Sequence, residues 1–234
     1  MYVVFTTQFI VFEDFMKEFL NSLAKTALFQ GISESEIESM LNCLQARKAE
    51  FKKGEYIFRH GESISSFGIL LKGLIHIQKS DYWGNLSIVN AVRPLEMFAE
   101  AYAIPGNGVI LNDAVAMENS TVIFFDIRKM LTTCTSACVF HTKTVENLFR
   151  AVSMKNINLI RKLDHVTKKT TREKLISYLS EESEKHRAAS FAIPFNRQQL
   201  ADFLSVDRSA MSLELSKMQK EGLLTYNKNN FTLL

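Results

Sequence analysis

The sequence predicts an α+β protein in three parts: an N-terminal antiparallel β-roll, one long helix, and a small helical domain closed by a β-hairpin. Three observations predict it. Short apolar runs alternating with glycine-bearing turns fill residues 50–127. A stretch free of Gly and Pro joins Cys138 to Val166. Two short helical patterns followed by paired β runs occupy the C-terminal end. The expected boundaries are 1–137 for the roll, 138–166 for the helix and 167–234 for the last domain.

The opening Met1–Phe12 is apolar but lacks the basic region and small-residue cleavage site of a secretory signal. Glu13 and Asp14 cut it well short of the ~20 residues that span a bilayer. It is expected to pack on the roll as a strand or helix, with Met16 as an alternative start of translation. Residues 16–48 read as helical, because Phe19, Leu23 and Leu28, then Ile37, Met40, Leu41 and Leu44, recur at helical spacing. Gly31 and Ser33 break the run, and Ser33 with Glu36 forms a capping box for the second helix.

From Glu50 the period changes to two. The runs Tyr56–Phe58, Phe67–Leu71, Leu74–Ile77, Leu86–Val89, Val109–Leu111 and Thr121–Ile127 alternate with turns at Gly54, Gly61, Gly73, Gly84 and Gly106–Gly108. Many short strands this closely punctuated suggest an antiparallel roll of jelly-roll type.

After Asp126 the period returns to 3.6. Within the long helix Val145, Phe149, Val152, Asn156, Leu159, Leu163 and Val166 step by alternating fours and threes, which is an a/d seam. A single Asn in such a seam fixes register and favours two strands, so the seam predicts a homodimer. Met154, Ile157 and Ile160 form a second apolar stripe, expected to lie on the roll. Thr167–Thr171 is polar and basic and reads as a hinge, Arg172–Ser183 as a helix, and Ser190–Pro194 as a short strand.

Composition excludes several classes. With 47% hydrophobic, 11% aromatic and 23% charged residues, the chain has ample material for real cores and is not a disordered segment. Cys43, Cys134 and Cys138 are too few and scattered for a disulfide framework, which points to the cytosol. The net charge of +3 is unevenly placed. Residues 167–234 hold 11 Lys and Arg against 8 Asp and Glu, while residues 1–166 hold 17 of each. The excess sits where an anionic polymer is expected to bind.

The segment from Asn196 to Gly222 carries the function. Asn196 caps a helix whose inward face is Leu200, Phe203 and Leu204, with small Ala201 where two helices cross. Ser205-Val206 turns the chain, and Asp207 caps a second helix with Met211, Leu215 and Met218 on its buried stripe. Two helices joined by so short a turn form a helix-turn-helix, whose second helix enters the major groove of duplex DNA. That helix presents Arg208, Ser209, Ser212 and Leu213. Gly222 stops it, and Leu223–Tyr226 and Phe231–Leu234 flank Asn227–Asn230 as a wing hairpin. Arg208, assisted by Ser209 and Ser212, is expected to read base edges, and Leu213 to touch a thymine methyl. Arg197 and Lys228 are expected on phosphates, and Asn196, Gln198 and Asp207 complete the DNA-facing set.

The chain resembles the Crp–Fnr family, regulators related to the cyclic-AMP receptor protein and the fumarate–nitrate regulator. The resemblance covers nearly everything from about residue 23. In the first part it rests on Lys53-Gly54-Glu55-Tyr56-Ile57-Phe58, Gly61-Glu62 and Leu70-Leu71-Lys72-Gly73. In the last it rests on Arg197–Leu204 and Val206-Asp207-Arg208-Ser209. It implies a cyclic-nucleotide-binding-like roll, a winged helix-turn-helix, a homodimer on a two-fold-symmetric operator, and an effector in the roll. The departures are specific. Where nucleotide-binding members carry Gly-Glu this chain has Ala99-Glu100, and where they carry Arg followed by Ser or Thr it has Asn112-Asp113. No basic residue lies between Arg93 and Arg128. Cyclic AMP is therefore not expected as the ligand. An iron–sulfur cluster needs about four thiolates and is not expected either, nor is haem. Cys134 and Cys138 read as packed thiols, with a redox role left open. The residues placed around an effector are Phe98, Glu100, Tyr102 and Asn112, a lining that favours a small neutral or cationic molecule.

The expected partners are double-stranded DNA, a second copy of the chain, RNA polymerase and an unidentified small molecule, with no membrane. Two other readings compete. One is a constitutive DNA-binding regulator without an effector. The other is a metal-dependent cupin barrel with a DNA-binding tail, which needs converging histidines. His60 and His76 stand sixteen apart with no His-x-His anywhere, so an enzyme is not expected.

Overall fold

The computed structural model describes residues 19–44, 46–83, 86–104, 106, 108–132 and 139–234. Met1–Phe12, Met16, Cys134 and Cys138 lie outside the described residues. The chain forms two compact units, Met1–Ser153 and Met154–Leu234, and the division falls inside the long helix.

In the first unit a helical stretch at 19–24 and helix α1 (Glu34–Cys43) precede the strands. The capping box is present: Ser33 N–H donates to Glu36 Oε2 at 2.8 Å and Glu36 N–H to Ser33 Oγ at 3.4 Å. The strands are β1 (Arg47–Phe51), β2 (Tyr56–Phe58), β3 (Ser66–Lys72), β4 (Ile75–Ser80), β5 (Leu86–Val92), β6 (Met97–Phe98), β7 (Asp113–Ala116) and β8 (Ser120–Asp126). Short helices α2 (Glu100–Ala103) and α3 (Ile127–Leu131) follow β6 and β8. They build two four-stranded sheets, ordered β1-β8-β3-β6 and β2-β7-β4-β5, with antiparallel pairing throughout.

Alternation along β3 and β8 explains the layering. Phe67, Ile69 and Leu71 with Ile123 and Phe125 join the cluster that includes Ile37, Met40 and Leu148. Leu70 and Val122 turn the other way, into a second cluster with Ile75, Val92 and Phe98. The sheet is thus covered on both faces, which is why β3 reads as an unbroken apolar run.

Three strands differ from the sequence reading, the short β6 (Met97–Phe98) among them. Arg47–Phe51 is a strand although the period-two signal began only at Glu50. It pairs with β8 alone, and charged residues are at home on such an edge. Val109–Leu111 is not a strand; β7 begins at Asp113 instead. There Ile110 exchanges hydrogen bonds with a turn, receiving from Gly61 N–H and donating to the Glu62 carbonyl, both at 2.8 Å.

Helix α4 (Val139–Val166) is one continuous element of 28 residues. Its first half is anchored by backbone carbonyls. Asn147 Nδ2 donates to Leu28 at 3.1 Å and Gln30 at 3.0 Å, Lys143 Nζ to Gly31 at 2.6 Å, and a ring nitrogen of His141 bonds Met130 O at 2.8 Å. Further along the helix Met154, Ile157 and Ile160 are 50%, 42% and 58% exposed. The side chains that pack are His141, Thr144, Asn147 and Leu148, with Val145 and Val152 half-buried beside them.

The second unit continues with α5 (Thr171–His186), β9 (Ser190–Ala192), α6 (Arg197–Leu204), α7 (Arg208–Lys220), β10 (Leu224–Asn227) and β11 (Asn230–Leu233). The polar Thr167–Thr171 stretch serves as a cap, since Thr170 and Glu173 close a capping box on α5. The last three strands form a sheet ordered β10-β11-β9. One core gathers Leu175 and Leu179 with Leu200, Leu204, Met211, Leu215, Met218 and Phe231.

Candidate nucleic-acid interface

The helix-turn-helix is built by caps at both ends of both helices. Asn196 Oδ1 accepts from Gln199 N–H at 2.9 Å, and Gln199 Oε1 accepts from Asn196 N–H at 2.9 Å. Helix α6 ends at Ser205, whose left-handed φ of 52° turns the chain so that Ser205 N–H reaches Asp202 O and Val206 N–H reaches Ala201 O. Lys174 on α5 supplies what the turn lacks. Its ammonium donates to the Leu204 and Ser205 carbonyls at 3.2 and 3.3 Å, a cation at the negative end of a helix. Asp207 Oδ1 then accepts from Ala210 N–H at 2.8 Å and starts α7.

With Met211 and Leu215 fully buried and Met218 nearly so, α7 is locked in rotation about its axis. Its other face is open: Arg208 and Ser209 are exposed and Leu213 is 60% exposed. Ser212 is half-buried and its hydroxyl donates to Arg208 O at 2.9 Å. The far end of α7 is tied to α5, where Arg172 pairs with Glu221 and lies 3.6 Å from Glu214. Gln198 is exposed and donates to Asp202 Oδ1 at 2.8 Å. Lys228 tips the wing, exposed, with φ 51°.

Arg197 requires a correction. It was expected on a phosphate, but its guanidinium lies over the rings of Tyr226 and Phe231, 4.8 and 5.0 Å from their centroids. Both terminal nitrogens are buried without a hydrogen-bond partner among the described residues. Burial pulls its pKa below the ordinary arginine value. The side chain joins α6 to the wing.

Sequence reasoning missed three positioning side chains, because each acts across elements: Arg172, Lys174 and His165. The His165 ring, 3% exposed, holds Ser177 Oγ at 2.8 Å with one nitrogen and Glu181 Oε2 at 2.9 Å with the other. Burial raises the Glu181 pKa, yet Lys185, His165 and Arg161 together hold it below its usual value. This cluster fixes the end of α4 against α5.

Of the four residues placed around an effector, only Asn112 lines the small cleft beside His60. Phe98 is 4% exposed, and its ring fills the place where a Cβ on Gly68 would stand, 2.6 Å away. Glu100 is buried at the start of α2, after Ala99 in a left-handed φ of 64°. Tyr102 is half-buried. Asn112 lines a cleft of about 170 Å³ with His60, Lys79 and Asp113, and Phe98, Glu100 and Tyr102 are not among its walls. Asp113 Oδ1 accepts from His60 N–H at 2.8 Å, so His60 is a turn residue and Asp113 holds that turn.

Among known proteins, residues 48–136 match the family described as cyclic nucleotide-binding domain, and residues 173–234 match the Crp-like helix-turn-helix domain. The chain belongs to the Crp–Fnr family. Its fold agrees with solved structures of similar proteins. CprK complexed with OCPA superposes with a TM-score of 0.58 at 20% identity, over 84% of this chain and 91% of that one. The sensor domain of the regulator DNR from Pseudomonas aeruginosa gives 0.50 at 18% identity, over 67% and 99%. Among curated proteins, cGMP-dependent protein kinase 2 of Mus musculus is 28% identical over 101 residues, 36% of this chain. The chain matches only 13% of the length of that kinase. No helix among the described residues is long and apolar enough to cross a membrane.

Proposed function

We propose that this Crp–Fnr member is a sequence-specific DNA-binding transcription regulator, acting as a homodimer on a palindromic operator. The observation that carries the reading is the first turn of α7. It is capped by Asp207, buried on one side by Met211, and open on the other with Arg208, Ser209 and Leu213. A rigid helix with an arginine in its first exposed turn fits the major groove, where such an arginine forks to a guanine.

Dimerisation is supported by the exposed part of the seam. Phe149, Leu159 and Leu163 are 76%, 57% and 50% exposed, more apolar surface on one helix than a monomer ordinarily leaves in water. A two-fold dimer places its recognition helices about 34 Å apart, one turn of duplex. An effector in the roll and RNA polymerase are the further partners this reading carries.

The test is selection of bound duplexes from a randomised pool, followed by titration against the selected sequence and a scrambled one. Enrichment of an inverted repeat with half-sites one helical turn apart is expected. Enrichment of no sequence would leave the protein without specificity and overturn the reading.

A further inference from the structure

A cleft of about 480 Å³ opens in the first unit where strand β1, at the edge of one sheet, meets strand β2, at the edge of the other. Its floor is apolar. Phe51, Ile57, Phe58 and Phe124 are half-buried there and rest on the inner core of the roll. The Phe124 ring meets Phe58 and Phe51 edge-on, at 5.6 and 6.3 Å between centroids. Its rim carries positive charge and hydroxyls, and no carboxylate stands among its walls. Of the two cations, Lys48 is paired with Glu50 on the same strand. Arg47 makes only a long hydrogen bond, 3.4 Å to Ser66 Oγ, and no ion pair among the described residues.

The geometry of β1 orders these parts. Alternation puts Arg47, Ala49 and Phe51 on one face, with Arg47 in register opposite Phe124. At about 3.3 Å per residue, the guanidinium and the Phe51 ring stand at the ends of a strip about 13 Å long. An exposed guanidinium at one end of an apolar trough is matched by an anion with an extended hydrocarbon body.

We infer that this cleft binds a medium-chain carboxylate, with its head on Arg47 and its chain along Ala49 toward Phe51 and Phe124. The inference deepens the effector half of the reading above and moves the ligand away from Phe98, Glu100 and Tyr102. It also replaces the neutral or cationic molecule that those residues suggested with an anion.

Calorimetric titration of the full chain with octanoate, octanol and inorganic phosphate tests it. Octanoate is expected to bind, and octanol and phosphate each to bind at least about tenfold more weakly, the worth of one charge-assisted contact or of the buried chain. Arg47→Gln should bring octanoate down to the level of octanol, Arg47→Lys should restore part of the difference, and Ala49→Phe should fill the trough. Arg47 is on the surface, so its variants keep their fold, and circular dichroism checks this for them and for Ala49→Phe. Absent octanoate binding, equal binding of phosphate or octanol, or an unchanged affinity in Arg47→Gln would each overturn the site. Operator binding is measured in a separate titration. Its loss with octanoate binding intact would count against the DNA reading alone, and the reverse against the cleft alone.

Discussion

The guanidinium of Arg197, on the first helix of the helix-turn-helix, lies 4.8 Å over the ring of Tyr226 on the first strand of the wing. A cation over an aromatic face is favourable by roughly 0.5–2 kcal/mol, and burial of two unbonded terminal nitrogens opposes it. The two nearly cancel, and the charge does not face outward.

Arg197→Met keeps the bulk over Tyr226 and Phe231 while removing the unpaired nitrogens. It should leave melting temperature unchanged or higher. The slope of operator affinity against salt should stay the same, whereas loss of a phosphate contact would make it shallower by about one. Titrations at several salt concentrations decide this.

Arg208 should behave in the opposite way. It is exposed in the first turn of α7, and a bidentate guanine contact is worth roughly 1–3 kcal/mol of discrimination. Arg208→Ala should weaken the selected operator about tenfold to a hundredfold and flatten preference at one position per half-site. Equal loss on operator and scrambled duplex would make Arg208 a phosphate contact.

The contrast between Arg197 and Arg208 shows where sequence reading works and where it stops. Caps and buried stripes are local, so Ser33 with Glu36, Asn196, Asp207 and the Met211–Leu215–Met218 stripe were legible from spacing. The glycine stop at Gly222 was too, with φ 75° in the structure. What an exposed-looking arginine touches is decided by strands some thirty residues away, which is why Arg197 was misplaced and Lys174 unseen. Edge strands hide for the same reason: Arg47–Phe51 alternates only weakly because one β partner satisfies it. In the long helix the seam was legible but its anchoring was not, since polar His141 and Asn147 bond carbonyls of other elements and Thr144 meets Met40 Sδ, partners that periodicity does not reveal. The effector residues were located through the resemblance, and Phe98 turned out to be part of the core.

Cyclic nucleotides should not bind in the manner the resemblance to nucleotide-binding members implies. The resemblance sets Asn112-Asp113 where a phosphate grip would be, and Asp113 is committed to the His60 turn. Ala99 takes the left-handed φ of 64° that glycine adopts more easily. Addition of cyclic AMP or cyclic GMP at about 1 mM should leave melting temperature and operator affinity unchanged. A shift of several degrees would show that another part of the roll grips the phosphate.

Tyr178 gives a pH prediction. It is 3% exposed, its hydroxyl has no hydrogen-bond partner among the described residues, and burial, then Glu182 and Glu181, push its pKa above the ordinary 10.0. A phenol with a raised folded pKa contributes stability that is fully present below the unfolded value. It is lost as pH rises above about 10, where only the unfolded chain ionises. Tyr178→Phe should therefore match or exceed the parent in stability near neutrality, by up to about 1 kcal/mol. It should also lose less stability between about pH 9 and 11. Thermal melts across that range, compared with the parent, check it; parallel curves would place the alkaline sensitivity elsewhere.

The seam of α4 is tested most cleanly at Leu159, because that side chain does nothing for the single chain. It is 57% exposed, so Leu159→Glu should change the stability of an isolated protomer by no more than about 0.5 kcal/mol. In a two-stranded seam the same residue is a buried knob worth roughly 1.5–3 kcal/mol per protomer, and two facing carboxylates add repulsion. The variant should therefore sediment as a monomer at concentrations where the parent is a dimer, with an unchanged helical signal in circular dichroism. Operator affinity should fall with it, since one recognition helix on one half-site lacks the second set of contacts that a linked partner supplies. Asn156→Leu, one turn earlier, is the companion variant. Removing the polar residue should tighten association and loosen its register, which appears as higher-order species in sedimentation. A Leu159→Glu variant that remains dimeric would place the subunit interface on another surface, and the apolar run from Met154 to Leu163 would then need a different occupant.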